Sequence, residues 1–552
     1  MKSARPVPPL LAVTSAFLLV LPFPVAGPAA AWQMRVAWFA VAPLLVALLL
    51  YGNTPGTRLF LRNLSLGLMG GVLWYGGTCY WVYQTMYLYG GLPRPVAAGI
   101  LVLFCLYLGL YLAFFALLLT LTYRVTGNRG WTLFFAPFLW VAMELACARI
   151  TSFPWDQLGV SQIDNIGLAQ LAKWTGVYGI SFLIVAVNSF FAGVVLLRGW
   201  RARVLSLLAG LALMALFQSG TRWRPAPEMA TATAVLLQPD LNVQDDNNWP
   251  GALFDTRMQH YATLSEAPCS PYYNGTPETG ALLQWPVCAP RTDADAKTDL
   301  IVWPESPAPF EAHDLRFRHW ISALAQDAHA PVIVGDVDFE QGPTQRGDEN
   351  LYISASFVTQ EGVFAGRYDK MHLVPFGEYI PFQKWLWFAH SLTEQVGNAR
   401  HGKHRVVFNT NGHTYGTFIC YESIFAVEVR QFVLLGADAL VNISDDGWYG
   451  DTSAPWQHLN MARMRAVEDH RWLLRDTNNG VTAAIDPYGR VAESLPRHTQ
   501  GALQAHFNYL TDITFYARHG DLFAWFCAII AIVLAVDGCI QHPQINGGAS
   551  PP

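Results

Sequence analysis

Hydrophobic positions follow two different patterns along the chain. Long apolar runs fill residues 1–219, whereas residues 225–518 alternate short apolar stretches with polar ones. A helix that crosses a bilayer needs about 20 apolar residues. Runs of that order lie at 9–26, 35–51, 64–83, 96–122, 131–148, 175–197, 203–219 and 519–540. The pattern predicts a multi-span α-helical membrane domain with about eight spans, seven before the polar region and one after it.

The polar region has the spacing of an α/β fold. Strands are predicted at 234–238, 300–303, 332–335 and 438–443, hairpins at 351–368 and 406–420, and a helix at 455–475. The second hairpin turns at Asn411-Gly412, a pair that favours a tight turn. Helices among strands and hairpins predict a stacked α/β sandwich.

Basic residues predict the orientation of the spans. Loops on the cytoplasmic side of a membrane protein carry an excess of Lys and Arg. The N-terminus and the even-numbered loops hold Lys2, Arg5, Arg58, Arg62, Arg124, Arg129, Arg198, Arg201 and Arg203, whereas loops 1, 3 and 5 hold Arg35, Arg94, Arg149 and Lys173. Both termini are therefore expected in the cytoplasm, and the polar region on the outer side of the membrane.

The first apolar run has a second interpretation. Lys2 and Arg5, the apolar stretch and the three alanines at 29–31 resemble a cleavable secretory signal. Cleavage would leave the polar region on the outer side, because the later spans keep their order.

These patterns predict the domain organisation. Residues 1–222 hold spans 1–7, 223–518 the water-facing domain, 519–540 the eighth span and 541–552 a cytoplasmic tail. Residues 264–298 read as a loop insertion that contains Cys269 and Cys288. Outside the cytoplasm such cysteines can pair, and we predict a disulfide between them.

Composition narrows the function classes. Only 14% of the residues are charged and 52% are hydrophobic, against about 25% charged in soluble proteins. The net charge of -5 and the lack of a basic cluster argue against a nucleic-acid partner. The eight cysteines show no CxxC pair or zinc-like spacing, and no cofactor is expected. Glu144 is the main intramembrane charge and is a functional candidate on that ground alone.

Three polar residues stand where predicted strands end. They are Glu305, Lys370 and Cys420, and the ends of strands are where α/β sheets place chemistry. Each has an ordinary explanation by itself: a helix cap or solvated charge, a surface ion pair, and a buried thiol. Together they form a workable catalytic set.

The proposed chemistry follows from the residue types. A thiol attacks a carbonyl as the thiolate, and Glu305 can accept its proton as general base. The ammonium of Lys370 can stabilise the oxyanion, together with the backbone N–H of Tyr421 beside the nucleophile Cys420. This arrangement needs no histidine.

The set and its surroundings resemble a known superfamily. Glu305 precedes Lys370 by 65 positions and Lys370 precedes Cys420 by 50, as in the Glu-Lys-Cys triad of nitrilases. The matching stretches are WPES at 303–306, KMHLVPFGE at 370–378, CYE at 420–422, NISDDGWYG at 442–450, PWQH at 455–458, MARMR at 461–465 and TNNGV at 477–481. With seven apolar runs before the domain and one after it, the chain resembles the apolipoprotein N-acyltransferases, the membrane members of the nitrilase superfamily.

The resemblance implies a fold and an activity. The water-facing domain would be a nitrilase-like αββα sandwich. The activity would be the last step of lipoprotein maturation, transfer of an acyl chain from a phospholipid, typically phosphatidylethanolamine, to the α-amino group of an apolipoprotein's diacylglyceryl-cysteine. The family works by ping-pong chemistry through a cysteine thioester, without a metal. The resemblance also implies a monomer in the bacterial inner membrane, with the catalytic domain facing the periplasm.

Further positions carry over by motif. Glu378 matches a family glutamate near the lysine and is expected to orient Lys370 and lower the positive charge there, although a turn carboxylate is its ordinary explanation. Tyr421 and Glu422 match residues beside the nucleophile, and Trp249 matches a tryptophan on a loop near the site. The apolar segment 383–396 is expected to form an interfacial arm over the acyl chain, although an ordinary core helix fits its sequence as well.

Two other function classes fit parts of the pattern. A membrane-tethered nitrilase-type amidase would share the triad and use water as the second substrate. A transporter or receptor with an inactive sensing domain would keep the fold, but the intact triad and the lack of intramembrane ion-path residues argue against it. Formation of a lipid-derived thioester would distinguish the three.

Overall fold

A computed structural model describes most of the chain. The described residues are 7–50, 56–226, 230–243, 251–266, 269–272, 287–290, 297–305, 310–341, 349–379 and 399–540. They fall into two compact units. We call residues 1–83, 94–224 and 519–552 the helical unit, and residues 84–93 and 225–518 the sheet unit.

The described helices lie in both units of the chain. In chain order they are α1 Val7–Val20, α2 Gln33–Ala40, α3 Ala42–Leu49, α4 Gly56–Thr78, α5 Trp81–Gln84, α6 Arg94–Thr126, α7 Arg129–Ala146, α8 Ile166–Ala169, α9 Ala172–Thr175, α10 Val177–Leu196, α11 Trp200–Gln218, α12 Gly251–Glu266, α13 Leu315–Asp327, α14 Ala426–Leu434, α15 Ala454–Asp469, α16 Phe515–His519 and α17 Leu522–Ile540.

The helical unit contains apolar helices at each predicted run. Five helices in the described part of the chain are long and apolar enough to cross a membrane: Arg94–Thr126, Arg129–Thr151, Val177–Leu196, Trp200–Arg222 and Leu522–Ile540. Val7–Val20 and Gln33–Leu49 are shorter apolar helices, and α4 carries two arginines near its start. The protein is therefore a membrane protein, and the count of eight spans stays a prediction.

Small residues let two helices of this unit approach closely. A Cβ added to Gly71 of α4 would lie 2.7 Å from the Cα of Gly109 on α6. Such contacts are typical of packing between membrane helices. Glu144 is buried on α7, where its Oε1 accepts hydrogen bonds from Trp140 Nε1 and Leu158 N, both at 2.9 Å. These contacts give Glu144 a structural role in joining α7 to the segment that follows it.

The sheet unit contains two sheets. Its described strands are β1 Ala232–Gln238, β2 Cys269–Tyr272, β3 Val287–Pro290, β4 Leu300–Trp303, β5 Val332–Gln341, β6 Glu349–Val358, β7 Phe364–Asp369, β8 Val407–Thr410, β9 His413–Ile419, β10 Ala439–Ser444, β11 Leu473–Thr477, β12 Ala483–Ile485, β13 Val491–Ser494 and β14 Gly501–Phe507. One sheet has the order β3-β2-β14-β1-β4-β5-β6-β7 and the other β13-β12-β11-β10-β9-β8.

The layers of the sheet unit are set by the apolar faces of its strands and helices. Alternate residues of β1, β4 and β5, among them Val235, Ile301 and Val332, form a core with Phe254, Met258 and Tyr261 of α12 and with Phe317 and Ile321 of α13. The other sheet contacts α14 through β9, and the two sheets face each other through β1 and β11. The result is an αββα sandwich, as the sequence predicts.

Both predicted hairpins are present. β6 and β7 pair antiparallel, and so do β8 and β9, with Asn411 and Gly412 at φ 51° and 81° in the turn between β8 and β9. A left-handed conformation at both turn positions is what this residue pair favours. The predicted helix at 455–475 is wrong at its end. It stops at Asp469, because His470 is left-handed (φ 50°) and residues from Leu473 onward form β11.

The segment 264–298 differs from a plain loop. Within its described residues, β2 and β3 pair antiparallel, with Cys269 opposite Pro290 and Pro271 opposite Cys288, and β2 extends the first sheet beside β14. The side chains of Cys269 and Cys288 lie outside the description, so their disulfide stays a prediction.

Candidate active site

Three strands deliver the three predicted catalytic residues to one place. Glu305 follows β4, Lys370 follows β7, and Cys420 follows β9. Lys370 contacts Glu305 directly, and the thiol of Cys420 interacts electrostatically with both. Gly335 on β5 makes room for the Glu305 segment, since a Cβ there would lie 2.2 Å from the carbonyl oxygen of Pro304.

Lys370 lies between two carboxylates and has no exposed surface. Its Nζ donates to Oε1 of Glu305 at 2.9 Å and to Oε1 of Glu378 at 2.5 Å. The second oxygen of Glu305 accepts from the backbone N–H of Asp445 at 3.0 Å, and that of Glu378 accepts from Val374 N at 2.9 Å. Each carboxylate is thus held at both oxygens, which fixes the position of the ammonium.

The charges in this cluster are not balanced. Burial alone would lower the pKa of Lys370, but the carboxylates of Glu305 and Glu378 raise it well above its ordinary value. Burial raises the pKa of Glu378, and Lys370 opposes that rise. The lysine is therefore charged, and one ammonium between two carboxyl groups leaves the cluster with capacity to take up a proton.

Cys420 begins a short turn in a strained conformation. It is the first residue of the 3₁₀ turn Cys420–Ile424, with φ 48°, a conformation that side chains with a Cβ rarely adopt. The residue is 6% exposed. Burial, with the Glu305 carboxylate, raises the pKa of the thiol well above its ordinary value, although Lys370 opposes this. The resting group is a thiol, so attack on a carbonyl requires a base.

Glu422 joins the nucleophile turn to the loop that carries Lys370. Its carboxylate accepts from Tyr368 Oη at 2.8 and 2.9 Å, from Met371 N at 2.7 Å and from His372 N at 3.0 Å. It also accepts from Ile419 N at 2.8 Å. Glu422 therefore has a structural role, because it links the nucleophile turn to the loop that carries Lys370.

The other predicted site residues have different outcomes. Glu378 is brought to Lys370, and Tyr421, 5% exposed, follows Cys420 directly in the turn. Trp249 and the segment 383–396 lie outside the described residues. In the described part of the chain, no group of His, Cys, Asp and Glu is arranged to hold a metal ion.

Sequence reasoning missed Asp445. Its backbone N–H holds Glu305, and its own carboxyl accepts from Gly447 N at 2.9 Å and Asn478 Nδ2 at 3.2 Å. Burial, with the Glu305 carboxylate, raises the pKa of Asp445 to about 8. The only signal in the sequence is its place in the stretch 442–450, which by itself indicates no role for Asp445.

The fold and the site define a class. An αββα sandwich with Glu, Lys and Cys after three strands is what the resemblance to the nitrilase superfamily implies. The carbon-nitrogen hydrolase family model matches residues 257–511, and the model of the apolipoprotein N-acyltransferase N-terminal domain matches residues 15–190.

Similarity to curated proteins extends over nearly the whole chain. The apolipoprotein N-acyltransferase of Geobacter metallireducens is 34% identical over 537 residues, which cover 95% of this chain and 94% of that protein. The one of Methylococcus capsulatus is 32% identical, with coverage of 93% and 92%. The chain therefore belongs to the apolipoprotein N-acyltransferase family.

Solved structures are similar at lower identity. A Saccharomyces cerevisiae protein of branch 10 of the nitrilase superfamily is 15% identical, covers 51% of this chain and 93% of its own, and has a TM-score of 0.31. An amidase from Nesterenkonia sp. is 17% identical, with coverage of 52% and 95% and a TM-score of 0.32.

Proposed function

We propose that this protein transfers an acyl chain from a phospholipid to the N-terminal amino group of diacylglyceryl-cysteine apolipoproteins. The observation that carries the proposal is the buried Lys370, held by Glu305 and Glu378 and interacting electrostatically with the thiol of Cys420. Apolipoprotein N-acyltransferases that match almost the whole chain support the substrate class. The reaction is the final step of lipoprotein maturation and proceeds in two halves.

In the first half, Cys420 becomes acylated. The carboxylate of Glu305 takes the thiol proton as the sulfur attacks the ester carbonyl of the phospholipid. Lys370 and the backbone N–H of Tyr421 stabilise the oxyanion. The carbon–oxygen bond then breaks, the proton passes from Glu305 to the leaving oxygen, and a lysophospholipid departs.

In the second half, the thioester transfers its acyl chain. The neutral α-amine of the apolipoprotein attacks the thioester carbonyl, and Glu305 takes a proton from the amine. The carbon–sulfur bond breaks and the proton returns to the sulfur of Cys420. Glu378 keeps Lys370 in place and moderates its charge through both halves.

Several finer features belong to the proposal. Residues 1–222 and 519–540 would anchor the enzyme in the bacterial inner membrane as a monomer, and residues 223–518 would form the periplasmic catalytic domain. The nine basic residues on one side against four on the other support this orientation. Phosphatidylethanolamine is the expected donor. Trp249 would lie on a loop near the site, and the arm 383–396 would exclude water from the thioester.

Purified protein in mixed micelles tests the function. Phosphatidylethanolamine with a labelled acyl chain and a diacylglyceryl lipopeptide with a free amine are the substrates, and mass spectrometry detects the N-acylated peptide. We expect product with the wild type and none with Cys420→Ala. An N-acetylated lipopeptide, which lacks the attacking amine, is the matched acceptor control. Release of free fatty acid without transfer to the amine would instead favour the hydrolase alternative.

A further inference from the structure

A second buried polar cluster adjoins the nucleophile turn. It consists of Asp446, His458 and Arg475, each with no exposed surface. None of the three has a role in the mechanism above. His458 and Asp446 come from α15 and from the segment after β10, whereas Arg475 lies on β11. Three separate elements therefore meet at this point.

Asp446 and Arg475 form a rigid ion pair. Arg475 Nη2 donates to both oxygens of Asp446, at 3.0 and 2.8 Å, and Nη1 donates to Asn442. Ser444 Oγ donates to the same carboxylate at 3.0 Å. Burial would raise the pKa of Asp446, but the charge of Arg475 holds it well below its ordinary value. The carboxylate is charged and well supplied with donors.

The imidazole of His458 connects this pair to the nucleophile turn. Its Nδ1 lies 3.0 Å from Asp446 Oδ1 and 3.1 Å from Arg475 Nη2. Its Nε2 lies 2.7 Å from Ser423 Oγ and 3.1 Å from the carbonyl oxygen of Cys420. Burial and the nearby guanidinium lower the pKa of His458, so the ring is neutral. Nδ1 thus faces both an acceptor, Asp446 Oδ1, and a donor, Arg475 Nη2, but that carboxylate oxygen already accepts from Ser444 and Arg475. With that oxygen supplied, Nδ1 can accept from Arg475, which places the ring proton on Nε2, facing the turn.

The carbonyl that His458 contacts belongs to the peptide group that also contains the N–H of Tyr421. The carbonyl of Cys420 and the N–H of Tyr421 are parts of one planar trans peptide and point in opposite directions. A bond that fixes the carbonyl therefore also fixes the direction of the N–H. Because Cys420 is in a left-handed conformation, the turn needs such support from its surroundings.

We propose that His458 is a positioning residue that donates from Nε2 to the Cys420 carbonyl and so aims the Tyr421 N–H at the oxyanion. The inference rests on the proposed function, because it assigns the Tyr421 N–H as an oxyanion donor. His458 exchanges no proton with substrate, since its Nε2 faces backbone and hydroxyl oxygens. Asp446 and Arg475 orient the ring.

Two reactions of the same thiol separate this role from a merely structural one. Acylation of Cys420 by phospholipid passes through an oxyanion, whereas alkylation by iodoacetamide does not. Loss of one oxyanion donor slows acyl transfer by about 100-fold or more. We expect His458→Asn to slow single-turnover acylation by about that factor at unchanged KM, with alkylation within about 3-fold of wild type.

A matched pair of variants tests the tautomer. The amide of Gln reaches the position of Nε2, whereas that of Asn reaches only the position of Nδ1. We therefore expect His458→Gln to recover part of the acylation rate, to within about 10-fold of wild type. Arg471→Lys, another buried cation that bonds the carbonyls of Ala437 and Asp512, is the control and should leave the ratio of acylation to alkylation unchanged.

The outcomes are distinct. Acylation that falls while alkylation holds supports the inference, and the Gln variant alone suffices if the Asn variant does not fold. Equal losses in both reactions, unchanged acylation, or equal rates for Gln and Asn would overturn it. A wild-type protein that forms no acyl thioester at all would instead refute the proposed function.

Discussion

Two buried charge clusters in the sheet unit differ in their balance. Around Lys370, one ammonium is held by two carboxyl groups, each through single hydrogen bonds. Around Arg475, one guanidinium contacts both oxygens of one carboxylate, and a neutral imidazole completes the set. The first cluster carries excess acidic groups and the second is neutral.

The difference indicates which cluster takes part in the reaction and which one supports the structure. In the Lys370 cluster, a carboxyl group in excess of the ammonium charge can accept the proton of the Cys420 thiol, whose pKa is raised. The reaction requires this proton transfer. A buried ion pair in which one guanidinium nitrogen donates to both oxygens of a carboxylate is costly to disturb, so it suits a scaffold. Changes to the Lys370 cluster should therefore act on rate. Loss of the Asp446–Arg475 ion pair should act mainly on stability, whereas His458 links that pair to the nucleophile turn.

The largest effect is expected for Lys370→Arg. The substitution keeps the charge, but a planar guanidinium is too large to sit as a point charge at the oxyanion. We expect acyl transfer to fall by about 1,000-fold, near the upper range for loss of oxyanion stabilisation. Turnover with the lipopeptide acceptor measures it, and a rate within a few-fold of wild type would remove Lys370 from the mechanism.

Asp446→Asn should act mainly through stability. The guanidinium of Arg475 would remain buried without its counter-charge, which costs about 3 kcal/mol. We expect a clear drop in the thermal unfolding midpoint of the detergent-solubilised protein. The matched control is Glu428→Gln, which removes a partly exposed partner of Arg405 and should cost less than about 1 kcal/mol. Equal losses in the two variants would contradict the contrast.

Glu378→Gln should have a moderate effect on rate. The amide oxygen still accepts a hydrogen bond from Lys370, but one carboxylate of the cluster is lost. Lys370 would then be held less firmly and would keep Glu305 as its remaining carboxylate partner in the cluster. We expect about a 10-fold loss in turnover, consistent with one charge-assisted bond. An unchanged rate would show that Glu378 is only a turn carboxylate.

A further prediction concerns the pH dependence of stability. The native protein holds a proton on Asp445 up to about pH 8, whereas the unfolded chain releases it near pH 4. The stability from this group is complete below about pH 4 and is lost as the pH rises toward 8. We expect the unfolding midpoint to fall between pH 5 and pH 8.5, with a smaller fall in Asp445→Asn. Parallel curves for the two proteins would contradict the assignment.

Local signals made much of this molecule predictable. The Asn411-Gly412 turn, the strands with alternating apolar residues and the apolar helices can each be predicted from neighbouring residues in the sequence. The end of α15 was missed because its left-handed residue is His470 rather than a glycine. Glu305, Lys370 and Cys420 were predictable because each lies within two residues of a strand end.

The contacts of the supporting residues could not be predicted in the same way. His458 contacts Cys420 from 38 positions away, and Glu422 contacts Tyr368 from 54 positions away. Such partners are set by how strands of two different hairpins and a helix pack together. A histidine on a buried helix gives no local sign of which backbone carbonyl it will contact.

The most direct test of the account is the intact mass of the protein after incubation with phosphatidylethanolamine alone. We predict that the wild type gains one acyl mass, that hydroxylamine removes it, and that peptide mapping places it on Cys420. Cys420→Ala should gain nothing, and Glu305→Gln should also fail because the thiol stays protonated. An adduct on another residue, or acyl transfer to the lipopeptide by Cys420→Ala, would contradict the central claim.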